Sequence, residues 1–124
     1  MSRRKIPDTE GMQAVNAWSA GGHGSELDPD VLALAVRYTL QVLQVRAPGR
    51  SVEIRVPPFG AAQIVEGTRH TRGTPPATVE LSPDAFLQLA TGQAHWSQLS
   101  EAGAIQASGE RSDLREFFPL WRLG

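Results

Sequence analysis

The chain reads as an α+β domain with a largely antiparallel sheet and helices segregated to one face, on three observations. Asp28-Pro29-Asp30 and Ala47-Pro48-Gly49 bracket one long helix with a broad apolar face. Ser51 to Val56 alternates strictly between apolar and polar residues, as a half-buried strand does. Ser82-Pro83-Asp84 then opens another helix in the manner of Asp28-Pro29-Asp30. The order is helix, strands, helices, strand, helix.

Residues 1–10 read as a mobile arm. Its Arg3-Arg4-Lys5 triplet is either a solvated tail or a contact for anionic lipid or nucleic acid. Met12, Val15 and Trp18 fall near helical spacing and predict a short helix, broken at Ala20-Gly21-Gly22-His23-Gly24. Arm and short helix make up residues 1–27, and residues 28–124 form the main domain. In the long helix, Asp28 offers a cap, Pro29 suits the first helical position and Asp30 favours the positive end of the dipole.

Val52, Ile54 and Val56 point one way and Glu53 and Arg55 the other, and Pro57-Pro58 ends the pairing. Phe59 to Glu66 reads as a second strand, Gly67 to Pro76 as a turn-rich loop, and Thr78 to Leu81 as a third strand. A helix with Phe86, Leu87, Leu89 and Ala90 ends at Gly92, and a shorter one covers Trp96 to Ala102. Ala104 to Ser108 is a fourth strand. Ser112 is expected to cap a last helix carrying Leu114, Phe117 and Phe118, limited by Pro119.

A length of 124 residues supports one core. Twelve basic residues (Lys+Arg 12) against 13 acidic ones leave no basic stripe for duplex DNA, so no nucleic-acid partner is expected. There is no cysteine, which removes disulfides, thiol catalysis and thiolate metal sites. No apolar run approaches the ~20 residues of a membrane span. The basic opening has no apolar stretch behind it and does not read as a signal peptide, so the expected location is the cytoplasm.

Catalysis has little to stand on. His23, His70 and His95 show no His-x-x-x-His spacing, no Ser sits in a Gly-x-Ser-x-Gly elbow, and no phosphate-cradling loop is present. No enzyme activity, cofactor or metal is expected. The polar cluster Arg69-His70-Thr71-Arg72-Gly73-Thr74 is either a solvated loop or a holder for a carboxylate or phosphate head group, through Arg69, His70 and Arg72.

The apolar residues say more. Ile54, Val56, Ile64, Val79 and Leu81 can line the inner face of the sheet, opposite Val36, Leu40, Leu43, Phe86 and Leu89 of the helices. The closing segment, Leu114 to Leu123, must dock on the core, a ligand or a partner. Periodicity does not tell a filled core from a hollow one.

The stretch Leu89-Ala90-Thr91-Gly92, followed by a short helix and then Gly103-Ala104-Ile105-Gln106-Ala107-Ser108-Gly109, resembles the C-terminal signature of sterol carrier proteins. Arg46 to Pro58 and His70-Thr71-Arg72-Gly73-Thr74-Pro75-Pro76 look like those of actinobacterial stand-alone sterol-carrier-like proteins. The resemblance covers about residues 28–121.

It implies a twisted sheet of about five strands, helices over one face, and an apolar tunnel between them for a fatty acyl, acyl-CoA or sterol-like lipid. The pocket residues implied are those ten together with Trp96, Leu99, Ile105, Phe117, Phe118 and Trp121, the closing helix acting as a lid. The expected partner is a lipid or other apolar small molecule, with transient membrane contact allowed, and the expected state is a monomer or weak homodimer. The rival expectation is a protein-interaction or accessory module that docks through its aromatic C-terminal segment.

Overall fold

The computed structural model describes residues 5–21, 27–67, 77–110 and 112–123. Helix α1 (Asp8–Gly21) packs along α2 (Pro29–Arg46). A β-carbon on Gly11 would stand 2.1 Å from the Tyr38 ring, so only glycine permits this approach. Contrary to the arm predicted for residues 1–10, the chain is held from Ile6 onward. Ile6 exchanges two 2.9 Å hydrogen bonds with the Gln41 side-chain amide, and the helix begins at Asp8. Trp18 of α1 is fully buried and donates its Nε1–H to Asp84 at 2.9 Å.

Helix α2 starts as its sequence dictates: Asp28 Oδ1 accepts from the Asp30 amide at 2.8 Å, with Pro29 behind it. It ends where the Ala47 amide bonds back to the Leu43 carbonyl. Thr39, buried mid-helix, donates its hydroxyl to the Ala35 carbonyl at 2.7 Å.

Strands β1 (Val52–Val56), β2 (Gly60–Ile64), β3 (Ala77–Leu81) and β4 (Ile105–Ser108) form one sheet in the order β2-β1-β3-β4. β1 pairs antiparallel with β2 and β3 with β4, while the central pair β1–β3 is parallel. The resemblance implies about five strands; the described residues form four, in a mixed sheet. The physical reason is the route of the chain: β2 carries it back alongside β1, so β3 starts level with β1 and runs with it, Val52 facing Ala77.

The alternation sorts the two faces. Val52, Ile54, Val56, Ile64, Val79, Leu81 and Ile105 are buried beneath the helices. Arg55, Gln63, Glu80 and Gln106 face out, where Arg55 pairs with Glu53. On β4 only Ile105 is covered: Ala107, opposite Val79, is exposed.

Ser82 caps α3 (Pro83–Ala90), its Oγ accepting from the Ala85 amide at 3.1 Å. His95 precedes α4 (Trp96–Glu101), and its own amide donates to the Gln98 side chain at 2.9 Å. The last predicted helix is not formed. Only a 3₁₀ turn, Arg115–Phe117, is present. Ser112 donates its hydroxyl back to the Gly109 carbonyl instead of capping forward. Phe118, standing before Pro119, is extended with ψ 149°, as the proline ring requires.

Tyr38 gives this framework a pH dependence. Its hydroxyl donates to Asp8 Oδ1 at 2.9 Å, and burial first, then that bond, raises its pKa above the ordinary value of 10.0. The folded state therefore holds the phenolic proton more tightly than the unfolded chain does. This contribution is full below about pH 10 and is lost as pH rises through the folded value. Tyr38 is the only tyrosine (Tyr 1), so tyrosinate absorbance reports it alone. The native titration is expected above that of the urea-unfolded chain, and Tyr38→Phe is expected to lose less stability at alkaline pH. Coincident titrations would contradict this.

Candidate functional site

The two layers meet in one contiguous apolar cluster. Val36, Leu40 and Leu43 come from α2, Ile54, Val56, Ile64, Val79, Leu81 and Ile105 from the sheet, and Phe86 and Leu89 from α3. Trp96 joins them from α4, and Leu99, Phe117, Phe118 and Trp121 pack against the cluster half-buried. Sequence periodicity does not assign Val15, Trp18, Leu87 or Leu114 to this set, yet all four are fully buried within it. Arg69, His70 and Arg72 lie outside the described residues.

The C-terminal segment closes one end of the two layers as an extended strap over residues 118–123. It uses bonds that a helix end leaves open. The Leu120 and Trp121 amides both donate to the Ala90 carbonyl at 2.9 Å, and the Leu123 amide to the Thr91 carbonyl at 3.2 Å. Arg46, at the end of α2, donates to the Leu120 carbonyl at 2.7 Å.

Three ring contacts complete the closure. Trp121 stacks on Tyr38 with centroids 6.0 Å apart, and Phe118 stacks on Trp96 at 6.4 Å while standing edge-on to Phe86 at 6.4 Å. The aromatic end of the chain is thus docked on its own core. Because the strap rests on so few bonds, Arg46→Met, which keeps the side-chain stem, is expected to cost about 1 kcal/mol. It should also speed hydrogen exchange at the Leu120 and Trp121 amides; unchanged exchange would show that Arg46 does not hold the strap.

Outside the strap, a groove of about 420 Å³ runs between the α3–α4 connection and the closing segment. Gly92, Ala94, His95, Trp96 and Ser97 form one side, and Arg115, Phe118, Pro119 and Arg122 the other. Arg115 Nε bonds both Asp113 carboxylate oxygens, at 3.0 and 2.9 Å, and that hydrogen bonding holds the Asp113 carboxyl below its ordinary pKa. Sequence reasoning assigns neither arginine to a site: Arg115 falls within the predicted last helix, and Arg122 lies beyond the Pro119 that limits it.

A family model described as bacterial SCP ortholog, where SCP stands for sterol carrier protein, matches residues 28–120. The chain belongs to the bacterial sterol carrier protein family. The match runs from the cap of α2 into the strap, so the sterol carrier unit contains every strand and the Phe86–Phe118–Trp96 contacts. Helix α1 precedes the matched residues, yet Trp18 is part of the same core. The sterol carrier family is associated in general with apolar lipids. No curated protein matches the chain. Among the described residues no helix is long and apolar enough to cross a membrane.

Proposed function

We propose that this sterol carrier domain binds a single apolar ligand, a fatty acyl, acyl-CoA or sterol-like lipid, between sheet and helices, and exchanges it when the strap moves aside. The observation that carries the proposal is the closure itself. A large apolar cluster drawn from both layers ends at a segment held by three main-chain bonds, one arginine and stacked rings. Such a segment can be displaced without unfolding the sheet.

Burial alone supplies the affinity: about 12 methylenes contribute on the order of 10 kcal/mol before the costs of association. In this reading the protein is not an enzyme and uses no cofactor. It works in the cytoplasm as a monomer or weak homodimer, touching membranes only while loading and unloading. Docking on a partner protein through the aromatic C-terminus gains no support, since Leu120 is buried and the strap amides are already bonded within the chain.

Native mass spectrometry of freshly purified protein, followed by titration of the delipidated chain with a fluorescent fatty acid, tests this. The expected result is a lipid adduct and saturable binding with one site. Absence of both would refute the proposal.

A further inference from the structure

The groove beside the strap joins aromatic surface of the apolar cluster to charged and hydrogen-bonding side chains that the cluster lacks. Trp96 and Phe118 both line it and stack on each other, and Phe118 also meets Phe86 edge-on in the core. Its walls carry His95, Ser97, Arg115 and Arg122. Asp113 fixes Arg115 through Nε alone, leaving both Nη groups without a partner among the described residues. Asp113 itself is not part of the lining. Arg122 has no hydrogen bond or ion pair among the described residues and is exposed. Guanidinium groups stay charged at any ordinary pH and suit carboxylate and phosphate oxygens.

We infer that this groove holds the anionic head of the ligand, a carboxylate or phosphate-type oxyanion on a single alkyl chain that passes Phe118 toward Phe86. The inference rests on the lipid-binding reading and adds the ligand class: charged single-chain amphiphiles bind in preference to neutral ones. Recognition is by charge and hydrogen bonding at one end and burial at the other.

The delipidated full chain is titrated calorimetrically with palmitate, hexadecyl phosphate and hexadecanol. The R115Q/R122Q double variant and, separately, Ser97→Asp are titrated alongside, with circular dichroism confirming their fold. Ser97→Asp puts a carboxylate into the groove without touching either arginine. The unsubstituted protein is expected to favour at least one anionic amphiphile over hexadecanol by at least about tenfold. Which of the two binds more tightly identifies the head as carboxylate or phosphate.

Each variant is expected to erase the preference by weakening the anion alone, with hexadecanol changed less than about twofold. A preference that survives in either variant overturns the head-group site. So does equal binding of neutral and anionic probes by the unsubstituted protein, and in that case the lipid-binding reading stands. Binding of none of the three overturns that reading and the site with it.

Discussion

Phe86→Ala is expected to lower the free energy of unfolding by about 3–5 kcal/mol, the range for deleting a fully buried ring. Phe86 lies at the centre of α3, has no exposed surface and meets Phe118 edge-on at 6.4 Å. Its loss removes burial, leaves a cavity and takes away the ring on which the strap's first aromatic rests. For a domain whose total stability is about 5–15 kcal/mol, that is a large fraction. Urea unfolding followed by tryptophan fluorescence measures it. A loss below about 1.5 kcal/mol would mean that the ring is not packed between α3 and the strap as described.

Gly49→Ala is expected to cost about 3 kcal/mol or more, through backbone instead of packing. Gly49 has φ +147°, which side-chain-bearing residues rarely adopt, and an added β-carbon would stand 2.1 Å from both the carbonyl carbon and oxygen of Val65. Relief requires moving the main chain at the end of β2. That segment is tied by the Val65 amide to the Ala47 carbonyl at 2.7 Å and by the Ser51 amide to the Val65 carbonyl at 3.0 Å. Each such bond contributes about 0.5–1.5 kcal/mol, so strain and lost bonds act together. Thermal unfolding checks it; a melting temperature unchanged from the unsubstituted protein would contradict the described junction.

Much of the fold is legible because its signals are local. Asp28 and Ser82 each accept the hydrogen bond that their position before proline suggests, and the Ser51–Val56 alternation places Val52, Ile54 and Val56 inside. What is not legible depends on neighbours. Alternation assigns faces but not partners, so the parallel pairing of β1 with β3 leaves no trace in either strand. Val65 has φ 66°, and nothing in a β-branched residue announces it. The closing segment looks helical through Phe118, but Ser112 bonds backward and Pro119 forces Phe118 to extend.

The same contrast governs the site. The apolar residues assigned to the interior are found together because periods of two and of 3.6 each turn their apolar positions toward one core. Arg115 and Arg122 line the same groove because the chain straightens after the 3₁₀ turn, and no helical spacing encodes that. Arg46 reads as an ordinary basic residue at a helix end, yet its hydrogen bond reaches a carbonyl at the far end of the chain.

The decisive measurement is photo-crosslinking of the delipidated protein with a fatty acid bearing a diazirine on its chain, with adducts located by peptide mass spectrometry. A ligand held between the layers and covered by the strap should mark Phe86, Leu89, Trp96 or Phe118, with an excess of unlabelled fatty acid suppressing the marks. Adducts confined to the outward sheet residues Arg55, Gln63, Glu80 or Gln106, or adducts that competitor does not suppress, would contradict an interior lipid site.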